Sequence, residues 1–279
     1  MTLLAITGST GHVGGRVAHL LAGTADLRLI VRDPARAPEL PGAQVATASY
    51  GDRAASLAAL AGVDVLLMVS AAESRTRREE HRSFIAAAAD AGVGQIVYTS
   101  FVGASPDAVF TLGRDHGDAE VAIRESGMAF TLLRDNFYSD LLPYFADESG
   151  VIRGPAGNGR VAAVARADVA DVAATVLRDP AAHRDATYQL TGPEALTMAE
   201  IAARAGAFLG RELSYHDETV EEAYASRARF GAERWQLDAW VSTYVAIADG
   251  EVAAVSGDVE RLTGHPARTL EEALASSQP

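Results

Sequence analysis

Apolar residues gather in short blocks along this chain. Leu3, Leu4, Ala5 and Ile6 run together, and comparable runs recur at 27–31, 44–47, 64–69, 95–99 and 130–133. Short apolar runs bounded by Gly, Asp or Thr read as buried strands. Between them, at 13–22, 53–60, 75–91 and 114–126, alanine-rich stretches predict helices. Each is long enough to carry the chain across to a neighbouring parallel strand by a right-handed crossover. The expected fold class is therefore α/β, with a doubly wound parallel sheet of Rossmann type.

The second half patterns differently. Residues 150–160 are rich in Gly, with a Pro and an Asn, and predict a loop or tight hairpin ahead of the apolar run 161–165. A helix is expected after Asp168 to about 177, then a strand at 187–190. From Thr197 onward the pattern is mostly helical, with a strand at 212–215. Thr197-Met198-Ala199-Glu200 has the form of a capping box. Tyr224, Phe230, Trp235, Trp240 and Tyr244 are expected to form the core of a smaller, mostly helical lobe. The division this implies is 1–134 for the sheet core and 135–279 for a segment that returns strands to it and builds the lobe.

Composition narrows the possibilities. The chain has 279 residues, 48% of them hydrophobic and 22% charged, enough to bury an ordinary core. No apolar run approaches the roughly 20 residues that span a bilayer, so no membrane segment is expected. No basic segment precedes Leu3, which reads as the start of a buried strand and not of an export signal. Cysteine is absent, which excludes disulfides, thiolate nucleophiles and thiolate metal sites. A cytoplasmic location follows most simply, although the same absence suits export. The net charge of −13 opposes a nucleic-acid partner, with Arg75, Arg77 and Arg78 as a local basic exception. The seven histidines are scattered and show no His-Glu-x-x-His pattern, so no metal site is expected. All 24 basic side chains are Arg.

Candidate chemistry begins at Gly8-Ser9-Thr10-Gly11-His12-Val13-Gly14, between the first strand and the first helix. Glycines spaced by three let the backbone turn sharply, let a diphosphate approach the main chain, and let the helix pack against the strand. Free amides and the positive end of the helix dipole would then hold the phosphates. A phosphate loop of Walker type is excluded, because it requires Lys. The tip of the second strand is Arg32, 18 positions beyond Gly14, where a planar cation suits the 2′-phosphate of NADP(H). Asp33 beside it keeps NAD(H) open, as does an Arg32 that is merely solvated. The segment 1–134 is thus a dinucleotide-binding core and the lobe a substrate-binding one.

Thr-Gly-Ser-Thr-Gly-His-Val-Gly-Gly at 7–15, Leu-Ile-Val-Arg-Asp-Pro at 29–34, Tyr-Thr-Ser at 98–100 and Thr-Leu-Leu-Arg-Asp-Asn-Phe-Tyr at 131–138 carry a resemblance. With these segments the chain resembles the NmrA-like atypical short-chain dehydrogenases, and looks most like their bacterial NADPH-quinone reductase and triphenylmethane-dye reductase branch. The resemblance implies that Gly8, Ser9, Thr10, Gly11, His12 and Val13 line the diphosphate and that Arg32 meets the adenosine phosphate. Val69, Ser70 and Ala71 would pass under the nicotinamide ribose. Tyr50 would lie near the adenine, although Ser49 stands where the family commonly has an acidic residue. Asn136 is assigned to the cofactor.

Ordinary members of the wider superfamily use a Tyr with a Lys four residues on, which this chain cannot supply. In the corresponding helix His116 and Glu120 stand four apart, on one face. His116 is the candidate proton donor, oriented by Glu120; a merely charged helix surface is the other reading. Tyr138 is the second catalytic candidate. Asn136, Phe137, Tyr138, Tyr144 and Phe145 would offer an amide and aromatic faces to a flat acceptor. The expected activity is an NADPH-dependent reduction of a quinone-like or other planar conjugated acceptor, which needs little acid catalysis. The alternative is a dinucleotide-sensing regulator without turnover. Oligomeric state is left open, a homodimer included.

Overall fold

The computed structural model describes residues 2–277. The strands, in chain order, are β1 Leu3–Thr7, β2 Asp26–Val31, β3 Gln44–Thr47, β4 Val65–Met68, β5 Gln95–Phe101, β6 Ala129–Asp135, β7 Val151–Gly154, β8 Arg160–Val161, β9 Ala186–Leu190, β10 Leu196–Thr197 and β11 Ser214–Asp217. The helices are α1 His12–Leu21, α2 Arg53–Leu60, α3 Arg77–Asp90, α4 Thr111–Glu125, α5 Arg166–Arg178, α6 Met198–Leu209, α7 Val220–Arg227, α8 Arg234–Ala248, α9 Asp258–Thr263 and α10 Leu270–Ser276. Seven strands form one sheet in the order β3-β2-β1-β4-β5-β6-β9. β1 pairs in parallel with both β2 and β4, matching Ile6 to Leu29 on one side and to Leu67 on the other.

Why these segments are strands is visible in their burial. All four residues of β4 and all seven of β5 are buried, as expected for a parallel sheet covered on both faces, where alternation gives way to a continuous apolar run. On α1, Val13, Val17, Ala18 and Leu21 form the buried stripe. Phe84 and Ile85 of α3, Ile96 and Tyr98 of β5, Ile123 of α4 and Leu132 of β6 share one core cluster. Each large side chain there contributes roughly 1.5–3 kcal/mol of transfer free energy.

The chain forms two compact units: Met1–Ser100 with Asp115–Arg134 and Val169–Tyr188, and Phe101–Arg114 with Asp135–Asp168 and Gln189–Pro279. They are nearly equal in length, because 101–114 and 135–168 join the tail in the second unit. That unit is built around Phe101, Phe110, Leu142, Ile152, Val161, Ile201, Tyr244 and Ile247.

Two expectations for the second half are corrected. The Gly-rich stretch 150–160 is neither a loop throughout nor a hairpin: β7 pairs in parallel with β11, and β8 pairs antiparallel with β10. Close packing explains two of its glycines. A Cβ on Gly154 would lie 2.4 Å from the Tyr244 ring, and one on Gly159 would lie 2.2 Å from the Ile247 carbonyl oxygen. Of the tail aromatics, only Tyr244 is buried; Phe230 is 61% exposed. The capping box at Thr197 and Glu200 forms as predicted. Among the described residues, no helix is long and apolar enough to cross a membrane.

Candidate functional site

The sheet order reverses between β1 and β4. From β1 the chain moves outward through β2 and β3, then returns to the other side of β1. In open α/β sheets such a switch point leaves a crevice at the carboxyl ends of the two strands, where ligands bind. Two turns meet there: residues 8–11 after β1, and 69–71 after β4. A Cβ on Gly8 would lie 3.0 Å from Cβ of Val69.

The first turn leaves its polar groups open. Gly8 has φ +65°, a left-handed conformation that disfavours a side chain. The Gly11 amide donates to the Gly8 carbonyl at 2.9 Å. Gly11 caps α1 without any side-chain hydrogen bond, and no acidic residue occupies the first helical turn. By helix geometry the amides of His12, Val13 and Gly14 therefore lack intrahelical acceptors. A Cβ on Gly14 would lie 2.5 Å from the Gly8 oxygen and 2.7 Å from the Thr7 oxygen, so α1 packs hard against the turn. The Ser9 hydroxyl is buried with no hydrogen-bond partner. Thr10, Gly11 and His12 are exposed. An uncapped helix start, an orphaned hydroxyl and a backbone left bare at Gly8 and Gly11 fit the diphosphate of a dinucleotide.

At the tip of β2, Arg32 is exposed and makes no hydrogen bond or ion pair among the described residues. Asp33 is occupied: its carboxylate accepts the Ala35 amide at 3.0 Å and caps the short helix Pro34–Arg36. A free cation beside a committed carboxylate fits a 2′-phosphate better than a ribose hydroxyl.

The second turn is the opposite of the first. The Val69 amide donates to Thr7 Oγ1 at 2.9 Å, the Ser70 amide to Thr99 Oγ1 at 2.8 Å, and the Ala71 amide to His81 Nε2 at 3.0 Å. The Val69 carbonyl accepts the Tyr50 hydroxyl at 2.6 Å, and the Ala71 carbonyl accepts Arg77 Nε at 2.9 Å. Tyr50 is half-buried and stacks on Phe84 with centroids 4.3 Å apart. Its hydroxyl also meets Thr7 Oγ1 at 2.6 Å, and burial raises its pKa.

Behind this turn lies a buried network. Arg77 Nη2 faces His116 Nε2 at 3.1 Å and Arg77 Nη1 donates to Asp115 at 3.2 Å. His116 Nδ1 is 3.0 Å from the Tyr98 hydroxyl, and His81 Nδ1 reaches the same oxygen at 3.5 Å. Because His81 Nε2 accepts from Ala71 and His116 Nε2 faces a guanidinium, each imidazole carries its proton on Nδ1. Burial, and then the Arg77 charge, lower His81 to about 3 and push His116 well below its ordinary value. Both rings are therefore neutral. Glu120 serves other partners: it accepts Ser100 Oγ at 2.6 Å and Arg134 Nη2 at 2.7 Å, and pairs with Arg124. Burial opposes its charge, yet the hydrogen bonds from Arg134 and Ser100 outweigh it and hold the carboxyl below its usual range. The basic run 75–78 is not an open patch, since Arg77 is buried and Arg78 is paired with Asp115.

Within the second unit, the Tyr138 hydroxyl donates to Asp135 Oδ2 at 2.5 Å, while Asp135 Oδ1 is buried without a partner. Burial raises Asp135 to about 7, and burial together with the Asp135 charge raises Tyr138 well above its usual value. Both ends of the Asn136 amide are committed, Nδ2 to the Val252 carbonyl at 2.9 Å and Oδ1 to the Phe137 amide at 2.8 Å. Phe137 packs 5.0 Å from Phe101 and 5.1 Å from Phe110. Tyr144 and Phe145 are exposed.

Sequence reasoning missed Thr7, Thr99, Arg77 and His81 as groups that hold the second turn, and Asp135 as the partner of Tyr138. One signal was available: Arg77 and His81 are four apart, hence on one face of α3, although the run of arginines read as solvated charge.

The NAD(P)H-binding family matches residues 8–180. Quinone oxidoreductase 2 of Escherichia coli is 35% identical over 98% of each chain. The crystal structure of an NADPH-dependent quinone oxidoreductase from E. coli, complexed with NADPH, is matched with a TM-score of 0.88 at 35% identity, over 98% of this chain and 99% of that one. Triphenylmethane reductase of Citrobacter sp., complexed with NADP(H), is matched with a TM-score of 0.85 at 29% identity, over 99% and 100%. An open glycine turn at the switch point and these matches agree: the chain belongs to the NAD(P)H-binding family.

Proposed function

We propose that this protein is an NADPH-dependent reductase that delivers a hydride to a quinone-like or other planar conjugated acceptor. The observation that carries the reading is the uncapped start of α1 at the switch point, with the exposed Arg32, which has no hydrogen bond or ion pair among the described residues, at the tip of the neighbouring strand. Gly8, Ser9, Thr10, Gly11, His12 and Val13 would hold the diphosphate, Arg32 the 2′-phosphate, and Val69, Ser70 and Ala71 the nicotinamide ribose, with Tyr50 and Asn136 as further cofactor contacts. A reduced nicotinamide, when bound, supplies the hydride.

The chain's own groups then have a modest task. Hydride arrival on a quinone gives a stabilised phenolate, so orientation outweighs acid catalysis. Tyr138 and Asp135 share a short hydrogen bond, and a carboxyl raised to about 7 releases a proton near neutral pH. They are the proposed proton source, with Tyr144 and Phe145 offering aromatic surface to the acceptor. His116, a neutral imidazole with Arg77 and Tyr98 at its two ring nitrogens, is proposed to act through that network. The absence of cysteine supports a cytoplasmic setting, and the net charge of −13 supports a small molecule over a nucleic acid as partner.

The test is loss of reduced-nicotinamide absorbance against a panel of quinones and cationic dyes. Saturable turnover is expected, with NADPH preferred over NADH. Tight nucleotide binding without turnover on any acceptor would overturn the reading in favour of a sensing role.

A further inference from the structure

Three consecutive amides leave β4 at residues 69–71, and a side chain from elsewhere in the fold accepts each one. Buried backbone groups are normally satisfied by other backbone; here Thr7, Thr99 and His81 do the work. Ala71 is held most completely, its amide by His81 and its carbonyl by Arg77. These two residues lie one helical turn apart on α3, and both are at most 3% exposed. The next shell keeps them in place. Tyr98 faces His81, His116 faces both Tyr98 and Arg77, and Asp115 pairs with Arg77.

A single hydrogen bond leaves a peptide free to rotate about the axis of that bond. The Ala71 amide belongs to the peptide before the residue and its carbonyl to the peptide after it, so the two bonds together restrain both peptides that meet at Ala71. Whatever rests on Ala71 therefore meets a surface whose orientation α3 decides, while Thr7 and Thr99 hold residues 69 and 70.

We propose that His81 and Arg77 are positioning residues, which clamp the two peptides that meet at Ala71 and so fix the angle at which the reduced nicotinamide is presented. The proposal rests on the nucleotide reading above. It requires neutral His81, since only an unprotonated Nε2 accepts the Ala71 amide; burial, and then Arg77 beside it, disfavour the charged form. The clamp acts on orientation and not on the diphosphate contacts, so its loss registers in hydride transfer more than in nucleotide affinity. Misplacement of a reacting group by about 1 Å costs up to roughly a hundredfold in rate.

The experiment compares His81→Leu, which fills the space but cannot accept, with His81→Gln, whose amide oxygen can. In the resting protein, hydrogen exchange at the Ala71 amide is expected to speed up about tenfold in His81→Leu and to return towards wild type in His81→Gln. With NADPH and a reactive quinone, His81→Leu is expected to lower kcat about tenfold and to raise the primary isotope effect from deuterated NADPH. NADPH affinity should stay within about threefold of wild type, and His81→Gln should recover most of the rate. Unchanged exchange at Ala71, an unchanged kcat in a folded His81→Leu, a loss confined to NADPH affinity, or a Gln variant no better than Leu would each overturn the clamp. A wild-type protein that neither binds nor oxidises NADPH would overturn the nucleotide reading instead, and the exchange measurement would still decide whether His81 holds Ala71.

Discussion

The two turns at the switch point differ in what they do with backbone polarity. After β1, the helix start is uncapped, the Ser9 hydroxyl is unpartnered, and Gly8 and Gly11 leave the backbone bare at two points. After β4, the three amides of residues 69–71 and two of their carbonyls are taken by side chains. The first turn has unsatisfied donors to offer a ligand, and the second has none of its three amides left to offer. A binding site built this way puts attraction and orientation on separate segments, so each can be damaged without the other.

The largest expected effect comes from closing the open turn. Gly14→Ala places a Cβ within 2.7 Å of two carbonyl oxygens, which forces α1 off β1. Overpacking of this kind costs about 1–3 kcal/mol. Calorimetry should find NADPH affinity lowered about a hundredfold or more, as expected when the helix start no longer meets the diphosphate. Next is the charge at the rim. Arg32→Ala should weaken NADPH by about 10- to 100-fold, the range expected for a lost charge-assisted contact. NADH affinity should barely change, and equal losses for both nucleotides would remove the 2′-phosphate from the assignment.

A smaller effect tests an open polar group outside these turns. Asp135 keeps one oxygen unpartnered, and burial raises its carboxyl to about 7. Between the ordinary value of 3.8 and about 7 the native state holds a proton that the unfolded chain has released. Stability contributed by this site is therefore present at low pH and lost as pH rises through about 7. Asp135→Asn removes the buried charge, so denaturant unfolding at pH 8 should show a gain of about 1–3 kcal/mol and a flatter pH profile. A profile unchanged from wild type would mean the carboxyl is not raised. The smallest effect concerns the closed turn. Tyr50→Phe leaves the Val69 carbonyl without its hydroxyl donor and should cost about 1 kcal/mol in the same measurement, with NADPH affinity little altered.

Much of the first unit was legible in the amino-acid order. The apolar run at Leu3, the glycines at 8, 11 and 14, and Arg32 at the end of the second run are local signals, because strand burial, turn geometry and helix start all act over a few residues. Capping at Thr197 and Glu200 is local in the same sense. The second unit was less legible. Glycines at 154 and 159 looked like turn residues, whereas Tyr244 and the Ile247 carbonyl, some 90 positions away, need the space a side chain would fill. His116 and Glu120 are correctly on one helix, yet Glu120 binds Ser100 and Arg134 and the ring nitrogens of His116 face Arg77 and Tyr98.

By itself, then, the sequence determined most strands and helices of the first unit, a glycine turn between its first strand and helix, and that no lysine-based chemistry is available. Tertiary structure alone decided which polar groups remain unsatisfied once the chain is packed. A hydrogen bond such as that of Ala71 to His81, or of Tyr50 to Val69, depends on distances set by sheet order and helix packing, and no local pattern encodes them.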